Sequence, residues 1–285
     1  MGRECSGEGQ FMDGSRPEAA MVLPDRRYTD AKALSERGFA RGRAAEFGFS
    51  ADRYPEDFRH LRAEFAGLPE DPYAPDGKRF RRYSRLVYLP WNEGLFWIPG
   101  VPDTTYGSVA EYHQGRYNPD FTQLRRCFPE VPEKLQNNEL LLQIIRADIA
   151  QVQWLEEMAR TPIYVGLHMV KLAVHDRGDI AVSSPNCLHQ DGGATMFTFA
   201  HLVDCHNVVG GENVIATPES AGRQPEELAP EAIHAQFTLA EPLETYAVHD
   251  HRVSHHVSPV RLGDAPGPGQ RSILIIGVAP FVPDF

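Results

Sequence analysis

The sequence predicts a mainly β protein with flanking helices, built on a double-stranded β-helix, or jelly roll. Three observations lead there. Beyond Pro162 the chain breaks into short β-type runs. The candidates are 163–174, 195–204, 212–217, 235–239, 244–249, 252–257 and 271–278, with turns rich in Gly, Pro, Asp and Ser between several of them. No helical period alternates with these runs, which argues against a parallel βαβ sheet. One long helix, at about 138–160, carries an apolar side able to cover one face of a sheet.

Residues 1–25 have little apolar rhythm and read as a mobile N-terminal segment; residues 26–285 read as a single domain with a helical N-terminal part. Residues 28–66 look helical in pieces, anchored by Phe47, Phe49, Phe58, Leu61 and Phe65. Pro69 to Gly77 is a turn-rich connector. A basic patch follows (Lys78, Arg79, Arg81, Arg82, Arg85) and leads into a β-like run at Leu86–Trp91. The patch is either a solvated rim or the source of an arginine that reaches inward to grip a carboxylate.

In the helix, Leu141, Ile144, Ile145, Ile149, Val152 and Leu155 keep to one side. Asp148 interrupts that stripe and calls for an arginine partner or a gap in the cover. Asn137 or Asn138 caps the helix, Glu139 sits in its first turn, and Thr161-Pro162 stops it. Thr195, Phe197 and Phe199 share one face of the next strand, where they either line a pocket or fill the roll.

The bulk numbers narrow the function. A chain of 285 residues with 42% hydrophobic and 24% charged residues can bury a substantial core. A net charge of −11 counts against a nucleic-acid partner, which wants a basic face. Four scattered cysteines with no C-x-x-C pattern count against a zinc ribbon, and reduced thiols in a cytoplasmic protein are the expectation. No apolar run approaches a membrane span.

The chemistry sits in two places. His189-Gln190-Asp191-Gly192-Gly193 holds the only His-x-[Asp/Glu] of the chain, and in extended backbone residues i and i+2 point the same way. The glycines let the backbone turn or approach closely beside the pair. A distant histidine added to His-x-Asp makes a two-histidine, one-carboxylate triad, which holds Fe(II) on one face and leaves the other positions open. The stretch from Val248 to Pro259 offers four histidines. If it is extended, His249, His251 and His255 share a face, and alternation does not choose among them; position near the strand end favours His255. Arg271 opens the apolar run Ser272–Ile276, and a buried arginine needs an anion: a structural carboxylate or a carboxylate ligand.

Leu188-His189-Gln190-Asp191-Gly192, His201-Leu202-Val203, Asn207-Val208-Val209-Gly210-Gly211-Glu212, Arg252-Val253-Ser254-His255, Ser258-Pro259-Val260 and Arg271-Ser272-Ile273-Leu274 together resemble the 2-oxoglutarate/Fe(II) dioxygenases related to bacterial isoleucine 4-hydroxylase. The resemblance covers most of the chain after the basic patch. It implies a jelly-roll oxygenase in which His189, Asp191 and His255 bind iron and Arg271 anchors 2-oxoglutarate. Tyr112-His113-Gln114 and Tyr117-Asn118 resemble a family segment near the substrate. The departures are Asn186-Cys187, where a Glu-Gly pair is usual, and Cys205, where an arginine is usual; both bear on the substrate.

The implied cofactors are Fe(II), 2-oxoglutarate and O2, and the implied reaction is hydroxylation of an unactivated C–H bond of a free amino acid or similar small molecule. Retention of Asp191 argues against halogenation. Desaturation or oxidative cyclisation by the same centre is the alternative, and a non-redox cupin-like metalloenzyme is a further one.

Overall fold

The computed structural model describes residues 31–74, 76, 78–114, 117–121, 125–192 and 195–282. The segment expected to be mobile, 1–25, lies outside these residues, as does Gly193. Sixteen strands and five α-helices are present among them. The helices are α1 (Ala31–Arg37), α2 (Pro55–Ala66), α3 (Glu133–Gln136), α4 (Glu139–Ala150) and α5 (Glu156–Arg160).

A seven-stranded antiparallel sheet forms the main layer. Across it run β1 (Phe39–Gly42), β13 (Thr245–His249), β9 (Phe197–His206), β16 (Gly269–Pro280), β7 (Ile163–Val174), β2 (Arg79–Leu89) and β3 (Gly94–Ile98). Two three-stranded sheets complete the roll: β12 (Ile233–Thr238), β11 (Glu212–Ala216) and β14 (Ser254–Val257), then β10 (Val208–Gly210), β15 (Val260–Leu262) and β8 (Ile180–Ala181). A further sheet holds β4 (Val101–Asp103), β5 (Gly107–Tyr112) and β6 (Arg126–Pro129). One cavity is lined from the main sheet, from β14 and from β5, so these layers face each other across it. This is the jelly roll expected from the strand spacing.

Both faces of the main sheet are covered, which explains the unbroken apolar run of β16. Leu274, Ile276 and Val278 turn outward under α4, into a core shared with Leu141, Ile144, Ile145 and Ile149. Ile273 turns inward, against Leu202, Ile215 and Phe237. Phe197 and Phe199 belong to the outer core, beneath the helices. They fill rather than line, and Thr195, ahead of the strand, is the member of that trio that reaches the cavity.

The Asn138 side chain caps α4 by accepting from Leu141 N at 2.9 Å. The helix stops at Ala150 rather than running on to 160: Leu155 is extended and starts α5, with Glu156 and Glu157 in its first turn. Asp148 has found a histidine, not an arginine. His201 Nε2 lies 2.9 Å from Asp148 Oδ2 with both side chains fully buried. His201 Nδ1 is 2.7 Å from Thr245 Oγ1, whose hydroxyl donates to Leu243 O. Nδ1 therefore carries the proton on that side. Burial pushes the Asp148 carboxyl up, against the pull of His201.

The basic patch is not a solvated rim. From Arg79 on it runs along β2, and Arg79 and Arg81 turn into the roll at 4% and 7% exposure. The intervening Phe80 packs on the outer core, as alternation requires.

Candidate active site

The loop before β9 carries His189, and a two-bond bridge ties it to β14. His189 N donates to His255 O and His255 N donates to His189 O, both at 2.9 Å. That bridge sets the two imidazoles side by side, with ring centroids 4.3 Å apart. Asp191, two residues on, completes the group: His189, Asp191 and His255 offer ligand atoms that all lie within 4.8 Å of one another. Gly192 follows at φ +53°, and a Cβ there would run into the Tyr117 ring at 2.2 Å.

Two members are oriented from behind. His189 Nδ1 meets Cys187 O at 2.9 Å, so it carries the proton and leaves the Nε2 lone pair facing Asp191. Burial, then the neighbouring His255, pushes the His189 imidazolium down to about 4, which keeps the ring neutral. Thr198 Oγ1 donates to Asp191 Oδ2 at 2.6 Å, and Gln114 Nε2 donates to Oδ1 at 3.0 Å. The Gln114 amide cannot flip: its Oε1 already accepts from Asn118 Nδ2 and Arg126, each at 3.0 Å. Burial alone would raise the Asp191 carboxyl; the two imidazoles and the Thr198 hydroxyl outweigh it and hold the group ionised. His255 is the reverse case, since burial works against its protonation and the Asp191 carboxylate wins.

His255 Nε2 is buried, 3.3 Å from Asp191 Oδ2, and makes no hydrogen bond. An orphaned buried nitrogen beside an ionised carboxylate and a second imidazole lone pair is a donor set for a divalent cation. The residues present therefore fit a metal of the Fe(II) class. The other histidines stand apart. His251 is exposed in the turn after β13. His249 is packed outside the roll against Phe197 (4.4 Å) and Trp154 (6.3 Å). His256 points away from the triad, 3.4 Å from Asn186.

Asp250 ties the loop to the turn ahead of β14. Its carboxylate accepts from Gly192 N, and its carbonyl accepts from Gln190 Nε2. Burial and then Asp191 push the Asp250 carboxyl up to about 7.

The triad opens onto a cavity of about 770 Å³, including its mouth. Thr198, Ala200, Ile275 and Gly277 form its floor on the main sheet, and Tyr246 and Val257 close one side. Arg79, Arg81, Tyr112 and His168 close another. Arg271 does not itself line the cavity. It lies on the inward face of β16, 5% exposed, with Tyr246 as a neighbour. Its Nε has no partner, and no carboxylate pairs with it among the described residues. Gly211 stands against it: a Cβ there would meet Arg271 Cδ at 2.9 Å. Gln114 comes from the segment matched by resemblance, whereas Thr198 gave no signal in the sequence beyond its strand parity.

A sequence model of the 2OG-Fe dioxygenase family matches residues 62–277. A 3(1)-hydroxy-L-isoleucine 4-dioxygenase of Pantoea ananatis is 26% identical over 236 residues, which is 82% of this chain and 85% of that protein. The fold matches that of IDO from Bacillus thuringiensis, with a TM-score of 0.65 and 20% identity over 88% of this chain and 93% of the other. It also matches a bsmA homologue from Methylobium petroleophilum, with a TM-score of 0.69 and 18% identity over 90% and 94% of the two chains.

Proposed function

The chain belongs to the 2OG-Fe dioxygenase family, and from that premise we propose that it hydroxylates an unactivated C–H bond of a free amino acid. It is a 2-oxoglutarate-dependent dioxygenase whose cofactor and co-substrates are Fe(II), 2-oxoglutarate and O2. The proposal assigns His189, Asp191 and His255 as the iron ligands and Arg271 as the partner of the distal carboxylate of 2-oxoglutarate. The observation that carries it is the meeting of three ligand atoms within 4.8 Å, one of them an orphaned buried nitrogen.

Fe(II), when bound, supplies O2 activation coupled to decarboxylation of 2-oxoglutarate to succinate and CO2. The chain's own residues do the rest. Thr198 and Gln114 fix both oxygens of Asp191, so the carboxylate cannot rotate away from its neighbours. The Cys187 carbonyl keeps the His189 proton on Nδ1 and Nε2 free. Arg271, planar and permanently charged, suits a bidentate pair with a carboxylate. Apolar Ala200, Val257 and Ile275 limit the water that reaches the reacting carbon. The outcome is set by which C–H bond the cavity presents.

A free amino acid is favoured because the Pantoea relative is named for a hydroxy-isoleucine substrate. Residues 26–285 are read as one oxygenase domain, with no nucleic-acid partner at a net charge of −11. No helix among the described residues is long and apolar enough to cross a membrane. The three cysteines among the described residues (Cys127, Cys187, Cys205) are free, in accord with a cytoplasmic protein. The test is succinate release across a panel of amino acids, with mass spectrometry of the products. A gain of one oxygen is expected; loss of two hydrogens replaces hydroxylation with desaturation or cyclisation. No succinate with any amino acid removes this substrate class.

A further inference from the structure

Three arginines are buried on the side of the cavity opposite Tyr246, Arg79 and Arg81 lining it and Arg126 behind Gln114, and one carboxylate answers them. Arg79 Nε pairs with Asp71 Oδ2 at 2.7 Å, both side chains buried. Arg81 and Arg126, at 7% and 1% exposure, pair with no carboxylate among the described residues. Arg81 Nε, Arg126 Nε and Arg126 Nη1 have no hydrogen-bond partner at all. The guanidinium of Arg81 lies over the Phe128 ring at 4.4 Å and the Tyr112 ring at 5.2 Å, and that of Arg126 lies over Phe121 and Tyr112 at 4.6 and 5.1 Å. Aromatic faces offset part of the cost of burying cations, but they do not replace an anion. Arginine does not shed its proton to escape the cost.

The two guanidiniums differ in what they face. Arg126 is spoken for: its Nη2 donates to Gln114 Oε1, and Gln114 in turn holds Asp191. Arg81 lines the cavity. Its Nη2 lies 2.7 Å from His168 Nδ1. A guanidinium only donates, so His168 Nδ1 accepts and the ring proton sits on Nε2. Burial and then the Arg81 charge keep this histidine neutral. Arg81, the His168 Nε2–H and the Tyr112 hydroxyl thus make a cluster of donors on one cavity wall, and none of them is hydrogen-bonded to a carboxylate among the described residues.

This station is separate from Arg271. Arg81 pairs across the sheet with Val170, and Val170 with Ile273, whereas Arg271 is level with Leu172 and Arg79. The strands carrying Arg81 and Arg271 are two apart, roughly 10 Å at ordinary strand spacing. Formal charge argues for two anions as well. With Fe(II), Arg271, Arg81 and Arg126 counted against the Asp191 and Asp250 carboxylates, the interior carries three positive charges when Asp250 is ionised. The two carboxylates of 2-oxoglutarate leave one of them unanswered.

We propose that Arg81, assisted by His168 and Tyr112, docks the carboxylate of the substrate and makes it a specificity-determining group of the reaction. The proposal rests on the free-amino-acid reading above and deepens it: the α-carboxylate is the handle, and a carboxamide is a poor ligand. Arg126 is a positioning residue that acts through Gln114.

The test is equilibrium binding to protein loaded with Fe(II) and 2-oxoglutarate, with oxygen excluded. The probes are the twenty standard amino acids and their carboxamides. In the wild-type protein at least one amino acid binds and its carboxamide binds on the order of 100-fold more weakly. R81Q lowers acid binding to the level of the amide and leaves 2-oxoglutarate affinity within about twofold. R81K, which keeps the charge and loses the planar fork, falls between. The acid–amide contrast needs no variant, so it decides even if R81Q folds poorly. Equal binding of acid and amide, or acid binding unaltered in a folded R81Q, overturns the dock while the amino-acid reading stands. Loss of 2-oxoglutarate rather than amino-acid binding in R81Q overturns it too, giving Arg81 to the co-substrate. Binding of no amino acid to the wild type sinks the amino-acid reading and the dock with it.

Discussion

At the scale of single residues, the centre depends on who holds whom. His189 and His255 each present one free nitrogen to Asp191, so removing either ring leaves too few donors. His189→Ala and His255→Ala are expected to weaken Fe(II) binding by more than about 100-fold and to stop succinate formation, whereas His249→Ala and His251→Ala leave the metal bound. Metal analysis after equilibrium dialysis separates these outcomes. If His249→Ala or His251→Ala strips the metal while His255→Ala retains it, the ligand set is wrong. Thr198→Val removes the shorter of the two bonds to Asp191 and is expected to cost roughly tenfold or more in metal affinity. Arg271→Ala is expected to raise the 2-oxoglutarate requirement by at least about 30-fold, as loss of a buried charge-assisted pair implies, with iron affinity nearly unchanged. Titration of 2-oxoglutarate into both proteins decides it; equal affinities remove Arg271 from the site.

At the scale of elements, the sheet is made rigid from outside. Leu141, Ile144, Ile145 and Ile149 of α4 lie on the outward residues of β16 and β9, whose inward neighbours carry the cavity floor. A polar pair sits inside this apolar layer, Asp148 of α4 with His201 of β9. Asp148→Ala leaves a buried imidazole nitrogen without a partner and is expected to cost about 2–4 kcal/mol of stability. Asn138→Ala removes the cap of the same helix and is expected to cost about 1 kcal/mol. Urea unfolding measures both, and an Asp148→Ala protein as stable as the wild type discounts the pair. The Asp148 partner was not legible in the sequence, because a stripe broken by an acid says only that a counterpart exists. His201 is 53 positions away on β9, and the packing of α4 on the main sheet brings the two together. The same limit left the basic patch open between a solvated rim and an inward arginine. A run of basic residues looks solvated until its strand is known to have both faces covered.

At the scale of the whole molecule, the buried titratable groups make stability depend on pH. Burial, then His251, pushes the His249 imidazolium down to about 4, and burial then Arg81 pushes His168 well below its ordinary 6.5. Between pH 6.5 and about 4 the unfolded chain binds protons that the native protein refuses, so these groups favour unfolding progressively as pH falls through that window. Asp148 and Asp250, both pushed up by burial, act in the opposite sense, since the folded protein keeps protons that the unfolded chain has released. A single variant isolates one side of this balance. His249→Phe, set between Phe197 and Trp154, is expected to match the wild type in relative stability above pH 7 and to gain on it as pH drops to 5. Thermal unfolding of both metal-free proteins across that range measures the difference. A gap that does not change with pH removes His249 from the account.

Local pattern carried the strand runs after Pro162, the capped helix and the His-x-Asp step, because a period of two, a capping asparagine and a two-residue spacing are properties of neighbouring residues. Alternation left three histidines open on the stretch from 249 to 255; the turn between β13 and β14 put His255 against His189 and left His249 and His251 outside. Helical rhythm ran through to 160, yet the chain turned at 151–155 to set α5 separately. Phe197 and Phe199 went to the outer core, and Thr198 and Ala200 to the cavity. What a side chain meets is fixed by strand order and register. Those follow from how two layers bury their apolar faces together, and no window of adjacent residues contains that information.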